Sequence, residues 1–293
     1  MWLADNWNDY EVIDCSKGEK LERWGEYILV RPDPQVIWDT PKTDKHWKQK
    51  NGHYHRSAKG GGEWEFFDLP QEWSIRYQPL SLTFRLKPFS FKHTGLFPEQ
   101  AVNWDWFSSI IKNAKSKNPD RPLKILNLFA YTGGATLAAA SAGAAVTHVD
   151  ASKGMVTWAK ENAVASGLSD APIRWLVDDC VKFVEREIRR GNTYDGIIMD
   201  PPSYGRGPKG EIWKLEDSIF PFIELAAKLL SKDALFFLVN SYTTGLQPAV
   251  LTYMIHTALV PQFGGHVEAS EIGLPVTTSG LVLPCGASGR WFT

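Results

Sequence analysis

The sequence predicts an α/β protein in which a doubly wound parallel sheet follows a smaller β-rich domain. From Pro122 onward, apolar segments of strand length alternate with helical segments, which is typical of a parallel sheet covered on both faces. The first hundred residues instead contain short apolar stretches interrupted by Pro and Gly, and nine of the thirteen Trp residues lie at or before Trp106. We therefore expect two domains, an N-terminal β-rich recognition domain over 1–105 and a catalytic domain over 106–293.

The strands and helices of the second part are predicted from this alternation. Five parallel strands are expected, at Leu123–Phe129, Ala145–Asp150, Ile173–Val177, Gly196–Asp200 and Ala234–Asn240. The helix after the second strand is predicted over Ser152–Ser166, because Ser152 can cap its start and Gly167 can end it. A helix over Pro248–Leu259 precedes two closing strands, His266–Ala269 and Leu281–Pro284. In the N-terminal part, the stretches EYILV, QVIWD, EWEFFDL and SLTFRL read as short strands.

Composition sets the class of protein. The chain has 293 residues, 43% hydrophobic and 22% charged, and these values are ordinary for a folded globular protein. No apolar run reaches the roughly 18 residues of a membrane helix, and the N-terminus lacks the pattern of a signal peptide, so we expect a cytoplasmic protein without a membrane partner. Three cysteines without a close pair argue against disulfides and against a cysteine metal site. With a formal net charge of −1, any nucleic-acid contact has to come from a local patch.

The residues at the carboxyl ends of the predicted strands indicate a nucleoside-binding site. The run NLFAYTGG, from Asn127 to Gly134, joins the first strand to an alanine-rich helix, and Asp150, Asp179 and Asp200 stand at the ends of the next three strands. Parallel strands deliver their carboxyl ends to one edge of the sheet, so these groups should converge. Asp150 lies where a carboxylate accepts hydrogen bonds from ribose hydroxyls. A dinucleotide needs G-x-G-x-x-G, whereas only an adjacent glycine pair occurs here, which argues against an oxidoreductase.

These residues resemble a known family. The YTGG and DPPSYGRG motifs are similar to those of class I S-adenosylmethionine (SAM) dependent methyltransferases, within them the bacterial 23S rRNA base methyltransferase group, over residues 90–291. The resemblance implies a Rossmann-like seven-stranded sheet closed by two antiparallel strands, with SAM as cofactor. It also implies that a carboxylate after the third strand holds the adenine amino group; Asp179 is preferred to Asp178 because neighbouring strand residues face opposite sides. The expected cofactor-binding residues are Asn127, Phe129, Ala130, Tyr131, Thr132, Gly133, Gly134, Asp150, Ser152, Asp178, Asp179, Cys180 and Gln100.

Gln100 enters this set through the stretch FKHTGLFPEQ, from Phe91 to Gln100. It resembles a KTG segment that precedes the catalytic domain in the rRNA group and reaches toward the cofactor. Thr94, Gly95 and Gln100 match that segment, whereas His93 stands where the family has Lys.

The methyl-acceptor site is expected in the loop after the fourth strand. Asp200, Pro201 and Pro202 resemble the D/N-PP-x motif of nucleic-acid amino methyltransferases, in which a side chain and a proline carbonyl accept hydrogen bonds from an exocyclic amine. Tyr204 lies one residue further than the usual stacking aromatic, and it can stack on a flipped base or merely anchor the loop. These four residues are the candidate catalytic set. Three cations of this loop, Arg206, Lys209 and Lys214, can meet phosphate, and its glycines allow it to close as a lid.

A different chemistry, methylation of cytosine carbon 5, requires a cysteine thiolate that attacks the ring. Some members of the resembling group carry it after the fifth strand, where this chain has Ser241 and Tyr242. Cys285 is expected to lie roughly 13 Å or more from the active edge, near the far end of the last strand. We therefore favour a base nitrogen as acceptor.

A basic patch between Pro41 and Lys59 is a candidate RNA contact. It contains Lys42, Lys45, Lys48, Lys50, Arg56 and Lys59 against only Asp44, interleaved with His46, Trp47, His53, Tyr54 and His55. Charge engages phosphate and rings stack on bases, although the aromatic residues can equally pack beneath a solvated loop. His53 and His55 have no further ligand at a suitable spacing, so no metal site is expected.

Together these observations predict a SAM-dependent methyltransferase that acts on a base of ribosomal RNA. A protein or small-molecule acceptor is compatible with the near-neutral charge. A SAM-binding or RNA-binding module without turnover is the third alternative, and the DPP motif speaks against it.

Overall fold

The structure, a computed structural model, describes residues 1–57, 60–89, 92–206, 212–243 and 245–293. These residues form two compact units. The N-terminal unit comprises 2–102 and 272–285, and the C-terminal unit comprises 103–271 and 286–293 together with Met1. The boundary at 102/103 lies close to the expected 105/106. Sequence reasoning missed that residues 272–285 return to the N-terminal unit.

The N-terminal unit is built from short strands. Its five-stranded sheet has the order β2-β3-β4-β5-β6, antiparallel except for the parallel pair β4 and β5, and β7 pairs with β8 in a separate hairpin. The strands are β1 (Trp2–Leu3), β2 (Tyr10–Ser16), β3 (Glu19–Trp24), β4 (Tyr27–Pro32), β5 (Gly52–Arg56), β6 (Gly62–Phe66), β7 (Trp73–Tyr77) and β8 (Leu82–Leu86).

Three of the four predicted apolar stretches coincide with strands, namely β4, β6 and β8. The prediction of a strand at QVIWD is wrong. Asp33 lies between two prolines, and its side chain accepts a hydrogen bond from the backbone of Gln35 while its carbonyl accepts one from Val36. These bonds form a turn, which leaves Val36 buried and Ile37 91% exposed instead of placing both in a sheet.

The C-terminal unit contains the expected parallel sheet. Its strands are β9 (Lys124–Leu128), β10 (Ala145–Asp150), β11 (Ile173–Val177), β12 (Gly196–Met199), β13 (Tyr204–Arg206), β14 (Ile212–Lys214), β15 (Phe236–Ser241), β16 (His266–Pro275) and β17 (Val282–Phe292). The helices are α1 (Ala101–Lys117), α2 (Gly134–Ser141), α3 (Lys153–Ala165), α4 (Cys180–Arg190), α5 (Leu215–Ala227) and α6 (Pro248–Phe263).

Seven strands of this sheet have the order β16-β17-β15-β12-β9-β10-β11. Strands β9, β10, β11, β12 and β15 are parallel, and β17 runs antiparallel to β15. In the N-terminal unit, β1 adds an eighth strand by pairing in parallel with Ile272 and Gly273 at the end of β16. The fold class is therefore confirmed, although both closing strands are longer than expected.

Local signals in the sequence placed α3 accurately. The helix covers Lys153–Ala165, and the Ser152 side chain accepts a hydrogen bond from the N–H of Met155 as its N-cap. Gly167 has a φ of +69°, the left-handed conformation expected of the residue that ends the helix. None of the helices in the described part of the chain combines the length and the hydrophobicity of a bilayer-spanning segment.

A buried polar group joins α1 to the sheet. The Asn103 side chain donates to Ser288 Oγ (2.9 Å) and Asn240 Oδ1 (3.2 Å), and its oxygen accepts from Arg290 Nη2 (2.7 Å). All four residues are at most 5% exposed, and burial lowers the pKa of Arg290. Asn103 therefore helps to solvate a cation that water hardly reaches, which makes its amide structurally expensive to remove.

We expect Asn103→Ala to lower the free energy of unfolding by roughly 2 to 3 kcal/mol, since a buried hydrogen bond to a charged group is lost. Urea unfolding monitored by tryptophan fluorescence measures the change. Asn113→Ala, on the exposed side of the same helix, is the matched control and should leave the midpoint unchanged. Equal midpoints for the two variants would contradict this role of Asn103.

The start of α2 packs against α1 through a glycine. A Cβ added at Gly134 would lie 2.6 Å from Cζ2 of Trp104, which is far inside van der Waals contact. The indole therefore occupies the space that any side chain at this position requires.

Gly134→Ala is accordingly expected to destabilise the chain by about 1 to 3 kcal/mol, the usual effect of overpacking. In Gly154→Ala, at the start of α3, the new Cβ would meet only Ser152 Oγ at 3.8 Å. Thermal unfolding should show a lower midpoint for the first variant and no loss for the second. A wild-type midpoint for Gly134→Ala would show that the Trp104 ring is not held in this place.

Candidate functional site

The turn after β9 has an unusual backbone. Phe129, Tyr131 and Gly133 have φ angles of +56°, +51° and +88°, so that three alternate residues are left-handed. This conformation is unfavourable for Phe and Tyr, and residues held in it are concentrated at functional sites. The turn is fixed by hydrogen bonds from the N–H of Ala130 to the carbonyl of Val149 (3.1 Å) and from the N–H of Gly133 to that of Ala130 (3.0 Å).

The Asp150 carboxylate holds this turn against the start of α3. Its Oδ2 accepts a hydrogen bond from the N–H of Tyr131 (2.8 Å), and its Oδ1 accepts one from the N–H of Ser152 (2.8 Å). Burial raises the pKa of Asp150, although both hydrogen bonds act in the opposite direction. A carboxylate kept under these conditions, with lone pairs left on both oxygens, is well suited to accept hydroxyl groups of a ligand.

Beneath the turn lies a buried polar chain that includes one of the predicted site residues. Asn127 is 3% exposed, and its Nδ2 donates to Thr136 Oγ1 at 2.9 Å, which in turn is 2.8 Å from Nδ1 of His148. The Asn127 side chain therefore points into the interior, and the prediction that it contacts the cofactor is corrected to a supporting role. Burial lowers the pKa of His148 to about 3, so this imidazole is neutral at physiological pH.

Glycine is required at positions 133 and 134 for different structural reasons. Gly133 is left-handed, and a Cβ there would also lie 3.0 Å from Cβ of Ala159. Gly134 is required by the packing of Trp104, and a contact of either glycine with the cofactor stays a prediction. The buried Thr132, between Tyr131 and Gly133, accepts a hydrogen bond at its carbonyl from Asn162 Nδ2 (2.9 Å).

The acids after β11 separate into two roles. Asp179 is the N-cap of α4, and its Oδ1 accepts a hydrogen bond from the N–H of Lys182 (2.9 Å). Asp178 forms an ion pair with Arg186 through Oδ2, and its Oδ1 accepts the N–H of Asp179 (2.9 Å). With both of its oxygens engaged, Asp178 is the less available of the two for a ligand.

Cys180 supports the turn through its sulfur. Its Sγ accepts a hydrogen bond from the N–H of Phe129 at 3.3 Å, and burial raises the pKa of the thiol. This contact joins residues 51 apart in the chain, so sequence spacing could not indicate it.

The DPP motif begins at the same edge of the sheet. The N–H of Asp200 lies 3.4 Å from the carbonyl of Leu128, so the motif starts beside the end of β9. Pro201 is buried, whereas Pro202 and Ser203 are exposed and Tyr204 is 51% exposed. Sequence spacing and structure thus bring together Asp150, Asp200 and the turn of residues 129–133 at one edge.

After the prolines, the chain forms a hairpin rather than an irregular loop. Strands β13 and β14 pair antiparallel, with Tyr204 opposite Lys214. The Pro202 carbonyl accepts a hydrogen bond from Trp213 Nε1 (2.7 Å), and the Ser203 hydroxyl accepts one from Thr243 Oγ1 (2.6 Å). Gly207, Lys209 and Gly210, which carried part of the lid and phosphate predictions, lie outside the described residues.

Aromatic packing anchors this hairpin to the turn after β9. The ring of Trp213 lies 5.5 Å from that of Phe129 and 5.8 Å from that of Phe222 in α5. Sequence reasoning missed Trp213, Phe222 and Thr243. The one available signal was a tryptophan inside an otherwise polar loop.

Cys285 does not lie at the far end of the last strand, so the prediction that distance removes it from the active edge is wrong. Strand β17 pairs with β15 so that Ala287 lies opposite Ser241, the last residue of β15. Cys285 is two residues before Ala287 and therefore lies toward the active edge in register. Burial nevertheless raises the pKa of the Cys285 thiol, and Sγ contacts the carbonyl of Leu283 at 3.4 Å. Its protonated thiol is a poor nucleophile at neutral pH.

Trp47 and Tyr54 of the basic patch pack inward. Trp47 is 8% exposed and donates to Asp14 Oδ2 (2.8 Å), and Tyr54 is 4% exposed. Lys42 forms a 2.6 Å ion pair with Glu19 and lies over the Trp47 ring. For Trp47 and Tyr54 the structure thus favours the second alternative, aromatic residues packed beneath a loop, on which Lys45 and Lys48 are exposed. Lys59 lies outside the described residues.

The segment that contains Gln100 belongs to the N-terminal unit. Gln100 is 8% exposed and ends a turn of 3-10 helix over Pro98–Gln100. Burial lowers the pKa of the neighbouring His93 to about 4, so this residue is no substitute for a lysine cation. Phe91 lies outside the described residues, and a cofactor contact of Gln100 stays a prediction.

Comparisons with known proteins agree with this arrangement. The family model described as S-adenosylmethionine-dependent methyltransferase matches residues 18–219, which is more than half of the chain. The crystal structure of a SAM-dependent methyltransferase from Agrobacterium tumefaciens is 38% identical, with a TM-score of 0.89 over 98% of this chain and 91% of that chain.

Two curated relatives are named ribosomal RNA large subunit methyltransferase K/L. The protein from Shewanella frigidimarina is 30% identical over 60% of this chain and 23% of its own length. The protein from Pseudoalteromonas atlantica is 27% identical over 78% of this chain and 34% of its own length. The chain thus spans about a quarter to a third of these relatives. On the evidence of the family model and the Agrobacterium structure, this chain belongs to the S-adenosylmethionine-dependent methyltransferase family.

Proposed function

We propose that this methyltransferase transfers the methyl group of SAM to a nitrogen of a base in ribosomal RNA. The observation that carries the proposal is the position of Asp200-Pro-Pro beside the strained turn of residues 129–133, followed by an exposed aromatic residue, Tyr204. The names of the two curated relatives support RNA of the large ribosomal subunit as the acceptor. An rRNA substrate would in turn place the protein in the cytoplasm.

The turn and the acids around it fit the cofactor. Asp150 would accept the two ribose hydroxyls, because each of its oxygens is held by one N–H and keeps a second lone pair. Asp179 would hold the adenine amino group, with the backbone of Cys180 beside it. The backbone of Phe129, Ala130, Tyr131, Thr132 and Gly133 would line the methionine part, and Ser152 would support Asp150. When bound, SAM supplies a methyl group activated by a sulfonium.

The acceptor would be held by the start of the DPP loop. Asp200 and the Pro201 carbonyl would accept hydrogen bonds from the amine of the base, which aligns its lone pair and takes up the proton released on methylation. The Pro202 carbonyl already accepts from Trp213, so its role would be to hold the hairpin. Tyr204 would stack on the extruded base from the exposed face of β13.

A nitrogen is favoured over cytosine carbon 5 because the latter needs a thiolate. Ser241 and Tyr242 stand at the end of β15, and the Cys285 thiol has a raised pKa. Displacement at a nitrogen lone pair requires no covalent intermediate with the enzyme.

Binding to RNA would rest on the attraction between cationic side chains and phosphate groups. In the N-terminal unit, base stacking would contribute little. Lys45, Lys48 and Arg56 are exposed there, and Arg206 and Lys214 belong to the hairpin strands. Contacts of this kind would make RNA affinity fall steeply with added salt.

The role of Asp150 leads to a first prediction. Asp150→Ala should weaken binding of S-adenosylhomocysteine by about 10- to 100-fold, since hydrogen bonds to a charged group are lost. Because burial raises the pKa of Asp150, wild-type affinity should decline on acidification at a higher pH than for an ordinary aspartate. The deprotonated form is the acceptor, so affinity is full above this pKa and lost below it. Isothermal titration over a pH series measures both effects.

A modified ligand separates this role from mere disruption of the turn. The 2′-deoxy analogue of S-adenosylhomocysteine should bind the wild type more weakly than the parent compound does, and Asp150→Ala should discriminate little between them. If the variant still prefers the parent compound as strongly as the wild type does, Asp150 is not the ribose acceptor.

The acceptor role of Asp200 leads to a second prediction. Asp200→Ala should lower methyl transfer to protein-free bacterial 23S rRNA by at least about 100-fold, with unchanged affinity for S-adenosylhomocysteine. Labelled methyl incorporation and nucleoside mass spectrometry of the product identify the atom. Asp170→Ala, at an exposed position, is the matched control and should retain full activity.

Each other outcome selects a different function. Methylated carbon 5 of cytosine would overturn the choice of nitrogen. No transfer to rRNA or ribosomal particles, with transfer to a protein or small molecule, would overturn the acceptor class. Cofactor binding without any transfer would leave a non-catalytic binding module.

A further inference from the structure

Two histidines and a glutamate converge on the β5–β6 hairpin of the N-terminal unit. His53 and His55 alternate along β5 and therefore share a face of the sheet. Glu65 lies directly opposite His53 in the antiparallel pairing of β5 and β6, so its side chain joins the same face. One ligand atom from each of the three residues lies within 4.8 Å of those of the other two.

The contacts within this group, which we call the His-Glu cluster (His53, His55 and Glu65), are close. The imidazole rings are 3.9 Å apart between centroids, and His55 Nε2 lies 2.7 Å from Glu65 Oε2. His55 and Glu65 are about half exposed at their side chains, 48% and 51%, so a solvated ion can reach them. Two imidazole nitrogens and a carboxylate oxygen at these distances can act together as ligands of one cation.

A fourth residue, Glu19, orients the inner histidine. Its Oε1 lies 2.6 Å from His53 Nε2, while Oε2 is 2.6 Å from Lys42 Nζ. With the proton of His53 on Nε2 and donated to Glu19, the Nδ1 atom presents a lone pair. A carboxylate that binds the outer N–H of a ligating histidine is the usual support of a metal site.

We propose that the His-Glu cluster binds a divalent transition-metal ion of the zinc type, with His53, His55 and Glu65 as protein ligands and water completing the coordination. Neutral imidazole and carboxylate are the ligands that Zn²⁺ accepts, and a three-ligand site leaves one position for solvent. Mg²⁺ and Ca²⁺ are disfavoured, because both prefer sets made of oxygen ligands.

The geometry needs only a small adjustment. Bonds of about 2.0 to 2.1 Å in a tetrahedral site place ligand atoms roughly 3.3 Å apart. The three atoms, now within 4.8 Å, would approach by up to about 1.5 Å, chiefly through rotation of the exposed His55 and Glu65 side chains, and the 2.7 Å contact between His55 and Glu65 would open slightly to admit the ion. The ion would then link β5 to β6. The side chains of β6 are mostly exposed, so this strand has little packing of its own.

This site is independent of the proposed methyl transfer, and local sequence spacing did not indicate it. His53 and His55 lacked a further ligand nearby in the chain. The third ligand comes from the neighbouring strand, ten residues beyond His55.

The proposal is tested by titrating Zn²⁺ into the metal-free 293-residue chain by calorimetry. Wild type should bind one equivalent, and His55→Ala and Glu65→Gln should each weaken the dissociation constant at least about tenfold. Co²⁺ substitution should give visible absorption bands in the wild type and not in these variants. Because side-chain exposure at the two positions is high, both variants should keep the wild-type circular dichroism spectrum.

Two control variants make the test specific. Glu26→Gln changes an exposed glutamate in the turn between β3 and β4, and His46→Ala removes a histidine paired with Asp44 elsewhere in the unit. Both should bind Zn²⁺ as the wild type does. Absence of binding, or binding that survives both His55→Ala and Glu65→Gln, would overturn the proposal and leave the methyltransferase assignment untouched.

Discussion

The site depends on one half-buried carboxylate. Asp150 ends β10 and accepts the N–H groups of Tyr131 and Ser152, so it ties the turn after β9 to the start of α3. This double acceptor supports the left-handed backbone of Tyr131, which is unfavourable for a non-glycine residue. The same carboxylate has a raised pKa. The fold thus keeps an ionisable group where burial disfavours its charged form, and such groups are concentrated at functional sites.

Around this carboxylate, further hydrogen bonds from side chains hold the turn after β9 in place. The sulfur of Cys180 accepts the N–H of Phe129, the amide of Asn162 holds the carbonyl of Thr132, and the Asn127–Thr136–His148 chain lies beneath. The paired strands β13 and β14 are attached through Trp213, which donates a hydrogen bond to the Pro202 carbonyl and packs against Phe129. Most of these supporting groups are buried, and they hold the turn from its interior side. This division of roles is typical of preorganised sites.

Several charged and aromatic side chains of the N-terminal unit have partners within the unit. Lys42 and His53 share Glu19, and the indole of Trp47 is buried against Asp14. Aromatic residues that looked available for RNA in the sequence stabilise the core of this unit. Any recognition of RNA through this surface would therefore rely on phosphate contacts. The His-Glu cluster adds a position where a bound cation would increase positive charge on an otherwise balanced surface.

The sequence by itself determined the parallel sheet, the turn after its first strand and the acids at the strand ends. These features depend on periodicity and on residues close in the chain, such as the Ser152 cap and the glycine that ends α3. Only the tertiary structure decided which of these side chains are engaged within the protein. Asn127 turned inward, Asp178 paired with Arg186, and Gly134 served Trp104. The register of β17, the burial of Trp47 and the meeting of His53 with Glu65 depend on partners from distant segments. A pattern along one chain cannot specify such contacts, because they are set by packing between elements.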